Sequence, residues 1–338
     1  MDSQPIRKKN CLTLIKLIAA FQVMIGHIRE HLELPFPKWL GRVLGFYDGV
    51  PVFFIVSGFL IWLSMERSSS YSGYLKKRFW RIYPELWVAV IIEIVTIIFF
   101  YSGWNIRDLS IFTFTQGSVF QFWTPNSLRG YGCGTPNGTL WTMCVTIQFY
   151  IIAWLIRNLL HKKSQLVWGM GFIVLVGVSL AGQMIVGKIG KEIIIKLYGQ
   201  TILKYCWLFY IGCFIAEFKE KLLPVLSKYW LLLLIIGAIL YLTHFDLFAG
   251  YWVFWPLLLG SGLVGFAYAF PQLSIKTDIS YGIFLYHMII VNIFIQIGWM
   301  QNWGYALIVM MITVLLAYVS TKTIGAWSAK RKILKLTT

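Results

Sequence analysis

The sequence predicts an all-α integral membrane protein of about ten transmembrane helices with no attached soluble domain, and three observations predict it. Of its 338 residues, 58% are hydrophobic and only 13% charged, where soluble domains carry about 25% charged residues. Mean hydropathy is +0.71, and apolar runs of the length that crosses a bilayer as a helix recur along the chain. Aromatic residues reach 17%, many of them at run ends, where an interfacial belt sits. The net charge of +17 is concentrated in short loops and the C-terminal stretch. That pattern is an orientation signal with anionic-lipid contact and excludes a nucleic-acid patch. The five cysteines (11, 133, 144, 206 and 213) show no CxxC spacing, so neither a disulfide framework nor a metal site is implied.

Residues 1–10 form a polar, basic lead carrying Arg7, Lys8 and Lys9. Candidate spans follow at 11–29, 50–65, 86–102, 140–160, 166–186, 199–217, 229–244, 250–270, 279–300 and 303–322, and together they make one membrane domain over 11–322. A basic tail, 323–338, closes the chain. The longest non-apolar segment, 103–139, contains WTPNSLRGYGCGTPNG and reads as an extracytoplasmic or re-entrant loop. The first apolar run carries a lysine and lacks a small-residue cleavage site, so no cleavable signal is expected. With the N-terminus inside, roughly 20 Lys and Arg residues fall on the cytoplasmic side and 8 on the other. By the positive-inside rule both termini are then cytoplasmic.

The first span, CLTLIKLIAAFQVMIGHI, holds two polar exceptions, Lys16 and His27. A charge inside such a segment costs at least about 2.5 kcal/mol, so its default reading is functional. Eleven residues of helix put the two about 20° apart in azimuth and about 16 Å apart in depth, as two stations of one cavity would be. A neutral imidazole can accept a proton from a hydroxyl, which makes His27 a candidate general base. Snorkelling towards the two interfaces is the alternative for both residues.

Four further segments carry polar signals. Asp48 opens DGVPVFFIVSGF, where it either caps a helix or pairs with a cation, while Ser57-Gly58 permits close helix packing. In KRFWRIYP, Arg78 and Arg81 share a helix face beside Lys77 and suit phosphate groups; anchoring to anionic lipid is the other reading. The turn Asn137-Gly138-Thr139 leading into Trp141 reads equally as a sugar-binding turn and as a capped helix start. ISYGIFLYH places a second histidine, His287, within the ninth span. Glu93 lies mid-span, with Lys16 or a proton path as its expected company.

These blocks, in this order, resemble the membrane-bound acyltransferase-3 family, which includes bacterial surface-polysaccharide O-acetyltransferases. Lys16 and His27 match its basic residue and histidine separated by ten residues, and Arg78, Arg81 and Ile82-Tyr83-Pro84 match its arginine motif. DGVPVFFIVSGFLI, NGTLWT…QFY and ISYGIFLYH match three more blocks, so the resemblance covers nearly the whole chain. It implies a multi-pass protein of the bacterial cytoplasmic membrane. Such a protein moves an acyl group, commonly acetyl, from cytoplasmic acyl-coenzyme A to a hydroxyl of a cell-envelope glycan or glycolipid. It further implies catalytic roles for His27, Lys16 and Asp48, and nucleotide-phosphate binding by Arg78, Arg81 and Lys77. Trp141, Asn137 and His287 are the implied acceptor contacts, and no metal is implied. Three positions depart from the family pattern: Thr13 and Thr146 stand where acidic residues are usual, and Lys16 where arginine is commoner. A flippase of a lipid-linked sugar and a non-catalytic relative are the alternative readings.

Overall fold

The computed structural model describes residues 9–245 and 253–334, the side chains of 332–334 excepted. Arg7, Lys8, Lys335 and the first residues of the expected span 250–270 lie outside it. Fourteen α-helices make up the described chain. They are α1 Leu12–His31, α2 Lys38–Phe46, α3 Gly49–Glu66, α4 Tyr71–Phe100, α5 Ile106–Gln116, α6 Trp141–Leu160 and α7 Gln165–Ile189. The remainder are α8 Glu192–Tyr198, α9 Cys206–Glu217, α10 Lys219–Leu242, α11 Phe254–Ala269, α12 Ser280–Gln296, α13 Trp303–Ser320 and α14 Ala326–Leu334.

Short polar side chains start many of these helices. Asp48 accepts from Val50 N, Ser70 from Gly73 N, Ser164 from Val167 N and Asn302 from Gly304 N, which satisfies amides that have no partner inside the helix. The Ser70 cap changes one expected boundary. The third span does not begin at 86 but runs from Tyr71, so the basic segment is helical and Pro84 sits inside α4. The segment 103–139 is likewise more than a loop, since it contains α5 and two 3₁₀ turns.

Among the described residues, seven stretches are long and apolar enough to cross a bilayer: α1, α2–α3, α4, α6, α7, α10 and α13 with its C-terminal continuation. The expected count of ten is met only in part. At 12, 16 and 17 residues, α9, α11 and α12 are apolar but shorter than a usual span of about 20 residues. The shortest, α9, is buried over nearly all of its length between neighbouring helices. A helix shielded from lipid has no bilayer thickness to match.

Two apolar cores divide the bundle. One is built on α3, α6, α7, α9 and α11, the other on α4, α12 and α13. Helix α1 belongs to both, with Ile15 and Ala19 in the first and Met24 and Ile28 in the second. Small residues bring the backbones together, as Ser57-Gly58 suggested. A Cβ on Gly58 would lie 2.0 Å from Phe209 O and one on Gly212 1.9 Å from Ile55 O, so at these two points only glycine lets the backbones of α3 and α9 approach. Large apolar side chains such as Phe99, Leu166 and Ile173 remain exposed on the perimeter, the inverse of a water-facing surface and consistent with lipid contact.

Candidate functional site

Two cavities lie along the seam that α1 forms between the cores. The larger, about 820 Å³, is lined by His27, Glu30, Asp48, Thr139 and Trp141 among others. The smaller, about 150 Å³, is walled by Arg81, Ser57, Thr146, Tyr150 and Tyr281. Val23, Val50, Thr142 and Phe284 line both, so the two adjoin and run from the Arg81 end to the His27 end.

At the upper end, His27 Nδ1 lies 3.0 Å from His287 Nε2, with the rings stacked at 5.3 Å and 14°. His287 Nδ1 lies 2.8 Å from Ile283 O. The carbonyl can only accept, so His287 Nδ1 carries the hydrogen. A neutral His287 then offers Nε2 as an acceptor, which places the His27 hydrogen on Nδ1. His27 Nε2 is left with a free lone pair on a residue that lines the cavity. His287 is fully buried and does not line it, so this expected acceptor contact instead hydrogen-bonds His27 and its own helix.

Of the other two expected acceptor contacts, Trp141 lines the cavity. Asn137 is buried, its Nδ2 donating to Leu285 O at 3.0 Å and its Oδ1 accepting from Thr139 Oγ1 at 2.8 Å. It ties the start of α6 to α12. Asp48 caps α3 and pairs with no cation among the described residues, although it also faces the cavity. Gln22, which the sequence did not single out, holds Gly49 N at 2.9 Å and Leu44 O at 2.9 Å and so fixes α3 against α1.

At the lower end the decisive residue is Asp278, also unmarked in the sequence reading. It forms ion pairs with Lys16 and, at 3.4 Å, with Arg81, and it accepts from Ser280 N and Oγ at the start of α12. Burial would raise its pKa, but Lys16 and Arg81 hold the carboxyl below its usual value. Lys16 lines neither cavity, which corrects the two-station reading: Lys16 instead anchors the carboxylate that orients Arg81. The expected Lys16–Glu93 pair is absent, and both Glu93 carboxylate oxygens are buried with no hydrogen-bond partner among the described residues.

Arg78 points the other way from Arg81. Its guanidinium donates to Ser64 Oγ at 2.5 Å and lies 5.7 Å from the rings of Tyr74 and Tyr150. Tyr150 is itself a wall of the smaller cavity, so the arginines flank that cavity from two sides. Lys77 is turned away, donating to Arg67 O and Ser68 Oγ in the loop before α4. Thr146 donates back to Thr142 O at 2.8 Å.

The family model described as an acyltransferase domain matches residues 9–322. The chain is 26% identical to nodulation protein 10 of Rhizobium leguminosarum bv. viciae, across 92% of this chain and 91% of the relative. It is 30% identical to an O-acetyl transferase of Shigella phage Sf6, covering 53% of this chain and 54% of that one. A peptidoglycan O-acetyltransferase of Listeria monocytogenes is 28% identical over 38% of this chain and 21% of its own length. No solved structure matches.

Proposed function

The chain belongs to the acyltransferase-3 family, and from that premise we propose that it is a multi-pass O-acyltransferase of the bacterial cytoplasmic membrane. In this reading an acyl group, acetyl in the first instance, passes from cytoplasmic acyl-coenzyme A to a hydroxyl of a cell-envelope glycan or glycolipid. The observation that carries the proposal is the ordered chain Ile283 O, His287, His27, which leaves a basic imidazole nitrogen in a cavity.

His27 Nε2 takes the proton of the acceptor hydroxyl as its oxygen attacks the thioester carbonyl. Collapse of the tetrahedral intermediate breaks the carbon–sulfur bond, and the departing thiolate recovers the proton from His27. His287 holds the ring in the productive tautomer, the task a carboxylate performs in a Ser-His-Asp triad. In this reading the buried His287 imidazole takes the part of the acidic residue that the family usually carries where Thr146 stands.

Donor binding falls to Arg81 and Arg78, whose guanidiniums suit phosphate oxygens. Lys16 and Asp278 act as positioning residues for Arg81, and Lys77 adds positive charge at the margin. Lys16 lies about 16 Å along α1 from His27, and Arg81 shares its carboxylate. An extended phosphopantetheine arm spans that interval through the joined cavities. Trp141 and Asp48 supply the acceptor contacts, and Asn137 supports the wall behind them.

The test supplies acetyl-labelled acetyl-coenzyme A and a host glycolipid extract to the reconstituted protein and follows thiol release and label transfer. Transfer lost in His27→Ala, with the fold intact, is the expected result. Label transfer that survives His27→Ala would remove His27 from the chemistry. A folded wild type that moves a sugar lipid but consumes no thioester would point to a flippase.

A further inference from the structure

Beside the His27 cavity lies a third space of about 390 Å³, bounded by the starts of α3, α6, α9 and α11 and by the inner stretch of α7. It shares Asp48, Val50 and Trp141 with the His27 cavity, so the two communicate. Its walls are aromatic, with Trp141, Tyr205, Trp207 and Trp255 in one enclosure. Such a space, mostly apolar with a few convergent polar groups, is the usual form of a small-molecule site.

Two donors on these walls lack a hydrogen-bond acceptor among the described residues. Trp255 is only 7% exposed, yet its indole N–H has no hydrogen-bond partner among the described residues. Lys204 also lines the space, with Nζ 5.3 Å from the Tyr205 ring centroid, and it has no ion-pair partner among the described residues. Both are donors, and the acidic side chain present, Asp48, is already a helix cap. Ser179 and Gln183 add a hydroxyl and an amide along the wall formed by α7. Flat aromatic faces suit the C–H face of a sugar ring, and two idle donors, one cationic, suit an anionic group upon it.

We propose that this chamber is an acceptor subsite for an anionic sugar residue, its phosphate or carboxylate held by Lys204 and the Trp255 N–H. The proposal rests on the acyltransferase reading and deepens it. Because the chamber opens onto the His27 cavity, a sugar seated there places the next unit of the glycan beside His27. The acylated hydroxyl then belongs to the neighbour of a charged residue.

The experiment measures binding in the absence of any acyl donor, by saturation-transfer NMR on the full chain in nanodiscs. The probes are N-acetylglucosamine 1-phosphate, glucuronic acid and neutral N-acetylglucosamine. At least one anionic sugar should bind about tenfold more tightly than the neutral one, the scale of a charge-assisted hydrogen bond. Lys204→Gln should abolish that preference and Lys204→Arg retain it, while Trp255→Phe, which keeps a ring and removes the donor, should reduce it several-fold. Equal affinity for charged and neutral sugars, or a preference unchanged by Lys204→Gln or Trp255→Phe, overturns the proposal. Thiol release from acetyl-coenzyme A is scored separately. Anion-selective binding without turnover would sink the transfer reading and leave the subsite standing, whereas turnover without selectivity would do the reverse.

Discussion

His27 is defined by a single nitrogen. Its Nδ1 is committed to His287, so only Nε2 can work on a substrate. His27→Ala is expected to lower kcat by about 10³-fold, within the range of general-base losses. His287→Ala should cost about 10²-fold in kcat with little change in the KM for the donor, because it removes the tautomer constraint and not a binding contact. An equal rise in KM for His287→Ala would instead mark it as a substrate contact. Arg81→Gln should do the opposite and raise the KM for acetyl-coenzyme A about tenfold while sparing kcat.

Asp278 contributes a pH response at the same scale. Its folded pKa is depressed, so its contribution is present at neutral pH and is lost only as pH falls through that depressed value, below the usual carboxylate range. Asp278→Asn abolishes that contribution at every pH and leaves Lys16 partly buried without a partner. A loss of about 3 kcal/mol follows if the pair behaves as buried ion pairs do when broken. Thermal unfolding across pH 3–7 checks it: the wild-type melting temperature should fall steeply at the acid end, and the variant's should be flatter. Parallel curves would remove Asp278 as the source.

At the scale of elements, the α3–α9 contact is where small side chains matter most. The space for a Cβ at Gly58 or Gly212 is filled by backbone atoms, which cannot rotate aside as a side chain would. Gly58→Ala or Gly212→Ala should force the helices apart and cost about 1–3 kcal/mol or more, as overpacking does, read as a lower melting temperature in detergent. The extended α4 illustrates another dependence. From sequence, its first turns are expected to present Arg78 and Arg81 on one helix face but to lie outside the span, because Pro84 reads as a helix boundary. In the structure the helix continues through it, with α12 and α14 packed alongside. Helix α12 carries both His287 and the Asp278 turn, so one element positions the two ends of the site.

For the whole molecule, transfer depends on the two cavities being continuous. Thr142 lines both, and Thr142→Trp should fill the passage with little disturbance of either core. The expected result is donor binding retained, measured by retention of labelled coenzyme A, with acyl transfer reduced at least tenfold. Undiminished transfer would mean that the acyl group does not travel this route.

The all-helical membrane class and the approximate positions of the apolar helices were legible from the chain alone, and His27, Arg78 and Arg81 stood out there as candidates. They depend on local quantities: run length, hydropathy and spacing within one helix. The partners of those residues were not legible. His287 lies 260 residues from His27 and Asp278 lies 262 from Lys16, and each reads in sequence as a polar residue at or near the start of a span. Neither histidine signals which ring nitrogen faces the cavity, since that follows from the carbonyl of Ile283 behind the second ring. The same holds for Glu93, whose expected partner is taken by a loop residue that no periodicity marks. Hydropathy fixes which segments leave water, whereas ion pairs, tautomers and cavities arise where separate segments meet, and only the packing of α1 against both cores decides that.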